Sequence, residues 1–116
     1  MRSMHELGIM QNIVDTIQDY ARKNNVSKVL KVILEVGRVS GVVPEALEFC
    51  FEVCTKQTFL EGATLEIERV TALGKCKTCE GSFDLLDNNF SCPRCGGGDW
   101  EFISGRELII KRLEVT

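Results

Sequence analysis

A chain of 116 residues with a formal charge of −3 has room for one compact domain and a small appendage, and buries roughly two-thirds of its unfolded surface on folding. It offers no basic field to gather phosphates, which excludes nucleic acid as a partner of first choice, and no stretch is apolar for the roughly 20 residues that span a bilayer. Arg2, His5 and Glu6 interrupt the start, so no secretory leader is expected; in a cytoplasmic setting thiols stay reduced, and the six cysteines read first as metal ligands or small core residues.

Over residues 7–21, Met10, Ile13, Val14, Ile17 and Ala21 keep helical spacing while Gln11, Asp15, Gln18 and Asp19 fall opposite, which predicts an amphipathic helix. Lys23, Asn24 and Asn25 supply a basic last turn and residues that tolerate a left-handed cap. VLKVILEVG, rich in β-branched residues, is expected as a strand with Leu30, Val32, Leu34 and Val36 on one face. Pro44 suits a first helical turn, and Leu47, Cys50, Phe51 and Cys54 form an i, i+3, i+4, i+7 stripe, so 44–56 is expected as a second helix.

Glu61 and Gly62 mark a turn before ATLEIERV, where Ala63, Leu65 and Ile67 alternate with Thr64, Glu66 and Glu68. ELIIKRLEV near the carboxyl end has apolar residues on both faces and is expected to lie centrally or against a neighbouring surface. The fold class that follows is α+β: two helices packed on a small three-stranded sheet, with an inserted zinc-ribbon subdomain. The expected division is 1–73 plus 104–116 for the α/β domain and 74–103 for the insertion.

KCKTCEG and SCPRCGGG place two Cys-x-x-Cys turns 12 residues apart, across 80–91. Each turn can present two thiolates to one ion, and Cys76, Cys79, Cys92 and Cys95 together close a tetrahedron. Phe83, Leu85, Phe90 and Trp100 are a thin core for such a segment, and metal ligation supplies on the order of 10 kcal/mol that burial cannot. Four protein ligands leave no open position, so the ion is expected to be structural zinc, with iron as the alternative. Lys75, Lys77 and Arg94 are offset by Glu80, Asp84 and Asp87, so this ribbon lacks the charge of a nucleic-acid module. Cys50 and Cys54, a helical turn apart, could pinch a metal but sit on the apolar stripe, where free cysteine packs as a small hydrophobe.

The lone histidine, His5, admits two interpretations. In Ser3-Met4-His5-Glu6, Ser3 can cap the helix while Glu6 reaches back to the freed N–H groups, leaving His5 incidental. Alternatively, were Met4 the first residue, its amine, the His5 backbone nitrogen and the His5 imidazole would close adjoining chelate rings, with Glu6 as a further donor. Nitrogen-rich planar coordination of that kind suits Ni(II) or Cu(II).

Met4-His5-Glu6-Leu7, the amphipathic first helix, LEVG at 34–37, EGATLEIE at 61–68, the paired Cys-x-x-Cys turns and the closing GRELIIKRLEV together resemble the HypA/HybF family of hydrogenase nickel-incorporation proteins, from Met4 onward. The resemblance implies a nickel metallochaperone. It implies nickel at Met4, His5 and Glu6, structural zinc at Cys76, Cys79, Cys92 and Cys95, and delivery of Ni(II) with a nickel-handling partner GTPase to the hydrogenase large subunit. Met1, Arg2 and Ser3 precede the family's usual start; if they stay attached, nickel falls to His5, a backbone nitrogen and Glu6. The zinc-domain histidine that some members add to the nickel set is missing.

No enzyme is expected, because no nucleophile pairs with His5 and no Walker-type loop is present, which leaves GTP hydrolysis to the partner. The expected state is a monomer or homodimer in the cytoplasm, without nucleic acid or membrane partners. The competing function is a zinc-ribbon nucleic-acid or protein adaptor without nickel transfer.

Overall fold

The computed structural model describes residues 2–116, with side chains from His5 onward. Two helices and six strands follow in the order α1 (Arg2–Lys23), β1 (Val29–Gly37), α2 (Pro44–Cys54), β2 (Thr64–Val70), β3 (Leu73–Cys76), β4 (Ser82–Asp84), β5 (Trp100–Ser104) and β6 (Leu108–Val115). The chain divides into two compact units. One comprises Met1–Glu35, Val42–Glu68 and Ile109–Thr116, the other Val36–Gly41 and Arg69–Leu108.

In the first unit, α1 buries Met10, Val14, Ile17 and Ala21, the stripe its spacing dictates. It ends as its sequence requires. Asn25 takes φ 56° and the Val26 N–H reaches the Ala21 carbonyl at 3.0 Å, the bond that closes a helix across a left-handed residue. Helix α2 packs against α1 and buries Leu47, Cys50, Phe51 and Cys54. It stops at Thr55, whose N–H and hydroxyl both return to the Phe51 carbonyl, at 3.1 and 2.7 Å.

The sheet of this unit runs β2-β1-β6. Strand β1 is central and buries Val29 and Ile33 on one face, Val32, Leu34 and Val36 on the other. Leu30, on the same face as Val32, Leu34 and Val36, is exposed. The carboxyl-terminal strand therefore takes an edge. Its charged Lys111, Arg112 and Glu114 are exposed, as befits a strand whose outer side has no partner. Lys31 pairs with Glu66 at 2.8 Å, and Lys111 with Glu68 at 2.7 Å; solvent and salt screen pairs this exposed.

The second unit is a three-stranded sheet, β4-β3-β5, with both pairings antiparallel. Its small core joins Ala72, Cys76, Phe83, Leu85 and Cys92, flanked by Val39, Cys79, Trp100 and Phe102. Phe90, expected inside, is exposed but stacks on Trp100 at 6.0 Å, and its carbonyl accepts the indole N–H at 2.7 Å. Gly105, at φ +118°, lies against Ala72, where an added Cβ would meet the Ala72 Cα at 2.5 Å. Gly37 abuts the Gly105 carbonyl just as closely. Among the described residues no helix is long and apolar enough to cross a membrane.

Candidate metal centres

The two Cys-x-x-Cys segments fold into the same turn twice. Cys76 accepts from the Glu80 N–H at 2.9 Å and donates to the Gly81 carbonyl at 2.9 Å; Cys92 accepts from the Gly96 N–H at 2.7 Å and donates to the Gly97 carbonyl at 2.9 Å. In each turn the residue after the second cysteine has a left-handed backbone, Glu80 at φ 62° and Gly96 at φ 71°. β3 carries Cys76 into the first turn, and the Lys77 N–H donates to the Asp99 carbonyl at 2.9 Å just before β5.

This duplication brings four sulfurs within 4.8 Å of one another. Cys76 Sγ lies 3.6 Å from Cys95 Sγ, and Cys79 Sγ lies 3.5 Å from Cys92 Sγ. A tetrahedron with metal–sulfur bonds of about 2.3 Å places its sulfurs about 3.8 Å apart, so the arrangement fits a single ion. Among the described residues this is the group able to hold one, and all its donors are thiols.

The backbone prepares these thiols unequally. The N–H groups of Cys79 and Thr78 aim at Cys76 and hold its thiol down to about 6; the Cys95 N–H likewise lowers Cys92. At Cys95 the Gly97 N–H opposes the rise, yet hydrogens shared with Cys76 and Cys92 push the thiol up to about 11. Cys79, despite the Gly81 N–H, is raised by Cys92, burial and Cys76. In each turn the first sulfur is thus shifted toward the thiolate an ion needs, and the second away from it.

At the amino end the side chains part company. The His5 side chain is 63% exposed, whereas that of Glu6 is 1% exposed, and His5 Nδ1 lies 4.0 Å from Glu6 Oε2. The Val43 N–H donates to that same Oε2 at 3.0 Å. Helix α1 already includes Arg2 and Ser3 in its backbone, and Glu6 Oε2 serves Val43, 37 residues away. Met4 belongs to α1, but its side chain lies outside the described residues.

A family model described as hydrogenase/urease nickel incorporation, metallochaperone, hypA matches residues 4–115. This chain belongs to the HypA family. Hydrogenase maturation factor HypA of Geotalea uraniireducens (strain Rf4) is 49% identical, across 97% of this chain and 99% of the relative. That of Nostoc punctiforme (strain ATCC 29133 / PCC 73102) is 45% identical, across 97% and 96%. Two solved structures share the fold. They are the solution structure of the Ni metallochaperone HypA from Helicobacter pylori, with TM-score 0.68, 20% identity and coverage of 95% of this chain and 96% of that one, and a solution structure of HypA protein, with TM-score 0.73, 23% identity and 97% of each.

HypA is a family of metallochaperones and not of enzymes, and the two helices, small sheets and four-cysteine group are the architecture anticipated from sequence. Cys50 and Cys54 stay outside the HypA chain's metal group and are buried. Their thiols are raised, by burial first and then by the charge of Glu6 on Cys50, and of Cys50 and Asp15 on Cys54. Sequence reasoning missed the inward turn of Glu6. A signal existed: positions 6, 10, 14, 17 and 21 keep one helical face, but a carboxylate at its head reads as polar.

Proposed function

We propose that this HypA chain binds Ni(II) through the Met4-His5-Glu6 segment and delivers it, with a nickel-handling GTPase, to the large subunit of a [NiFe]-hydrogenase during maturation. The carrying observation is the family match that begins at Met4 and spans residues 4–115, joined to an imidazole at His5 that is open to solvent. Imidazole and backbone nitrogen are donors suited to Ni(II), and an exposed donor can surrender its ion.

In this proposal Cys76, Cys79, Cys92 and Cys95 hold zinc. The all-thiol donor set and closed tetrahedral spacing favour a structural ion, whose chemistry is to cross-link the two turns. Segment 74–103 is then the zinc-binding insertion, and 1–73 with 104–116 the nickel-binding part. The partners are hydrogenase-related proteins in the cytoplasm. Nucleotide hydrolysis falls to one of them, since the sequence lacks a phosphate-binding loop.

Nickel titration of the full chain, with zinc content measured in parallel, tests the proposal. About one nickel per chain is expected, lost on His5→Ala with zinc unchanged. Undiminished nickel uptake by His5→Ala would overturn it.

A further inference from the structure

We propose that one carboxylate oxygen, Glu6 Oε2, couples nickel held at His5 to the start of α2, so that loading the amino-terminal site loosens the helix that Glu6 pins. The inference rests on the reading that nickel binds at His5 and adds a mechanical consequence to it.

Helix α2 opens without a cap of its own. Its N-cap, Val43, has no side chain able to accept a hydrogen bond, and Pro44 follows directly. Glu6 supplies the acceptor from another helix: Oε2 takes the Val43 N–H at 3.0 Å from a side chain that is 1% exposed. A carboxylate beside the first turn of a helix also meets the positive end of its dipole. Glu6 is therefore a clasp between α1 and α2, set within the apolar stripe that Met10, Val14, Ile17 and Ala21 continue.

The clasp oxygen is also the oxygen facing His5, 4.0 Å from Nδ1. A divalent ion on that imidazole draws on the same atom. If Glu6 turns outward to meet the ion, the bond to Val43 breaks. If it stays in place, the electron density given to the ion is withdrawn from the N–H, because a charge-assisted hydrogen bond weakens as its acceptor loses charge. Both routes carry the same sign. Linkage then requires the reverse effect: whatever presses Val43 onto Glu6 lowers nickel affinity, and whatever frees Val43 raises it. A partner protein that grips the first turn of α2 thereby has a lever on the ion without touching it. Glu6 is a positioning residue in this scheme as well as a donor.

Hydrogen exchange at the Val43 amide, read at single-residue resolution in the full chain with and without Ni(II) chloride, tests the coupling. Nickel is expected to speed that exchange about tenfold. His5→Ala is expected to abolish the nickel-dependent change, and since His5 is exposed this variant keeps the fold. Glu6→Gln retains an amide oxygen for Val43 but is a poorer metal donor, so its Val43 amide is expected to stay slow in the presence of nickel. One nickel bound per chain with Val43 exchange unaltered overturns the coupling and leaves the carrier function intact. Failure of the parent chain to take up nickel overturns the carrier function itself.

Discussion

Glu80 bears a backbone cost that its counterpart Gly96 avoids. Both close equivalent turns with left-handed backbones, yet a side chain in that region costs roughly 1–2 kcal/mol, and glycine is the default there at some loss of chain entropy. Glu80→Gly is expected to stabilise the second unit by up to about 1 kcal/mol, read as a higher urea midpoint of Trp100 fluorescence. Gly105→Ala has the opposite sign: φ +118° and a Cβ 2.5 Å from the Ala72 Cα leave no relaxed conformation, and a loss of about 2 kcal/mol or more is expected in the same assay. Single residues also show where sequence was informative. The spacing of the four cysteines announced its geometry because two identical turns recur, each recognisable by itself. The inward Glu6 was obscured because its acceptor role depends on Val43, a residue with no polar side chain and no sequence signature.

At the scale of elements, α2 separates core from surface along one helix. Leu47 is fully buried and Phe49 is 65% exposed. Leu47→Ala is expected to cost about 2–5 kcal/mol, while Phe49→Ser stays within about 0.5 kcal/mol, by chemical denaturation. On the inner face of the helix, Cys50 and Cys54 have thiols raised chiefly by burial. Folded protein should resist alkylation at both through mildly alkaline pH and react once unfolded. The buried stripes followed from 3.6-residue spacing, with Asn25 just past the end of α1 as anticipated, but α1 begins at Arg2, five residues before the patterned stretch, and α2 stops at Cys54 rather than at 56. Strand order did not follow. LIIKRLEV is apolar enough for a centre, but β1 outcompetes it with five fully buried residues, and such a competition is settled only when both strands are assembled.

For the molecule as a whole, the two compact units should respond to metal removal separately. The single tryptophan, Trp100, lies in β5 between Phe90 and Phe102, so its emission reports on the cysteine-bearing unit. Chelation is expected to shift that emission to the red while the circular dichroism of α1 and α2 largely persists. Acidity acts in the same direction. Bound thiolates carry no protons whereas freed thiols do, so metal loading favours higher pH, weakens as pH falls below the value near 11 at Cys95, and weakens more steeply below the value near 6 at Cys76. Near neutrality Cys95, pushed up to about 11, is still a thiol, so uptake of an ion should release protons in weakly buffered solution. The unit that holds this ion is not continuous in sequence: it takes Val36–Gly41 from the first half of the chain and Arg69–Leu108 from the second. Arg38 and Val39 donate to Val70 and Gly105 at 2.9 and 2.8 Å, and Val39 packs on the small core. A peptide excised as 69–108 would therefore lack a wall of its own interior, and could be transplanted into another scaffold only if the short 36–41 segment travelled with it.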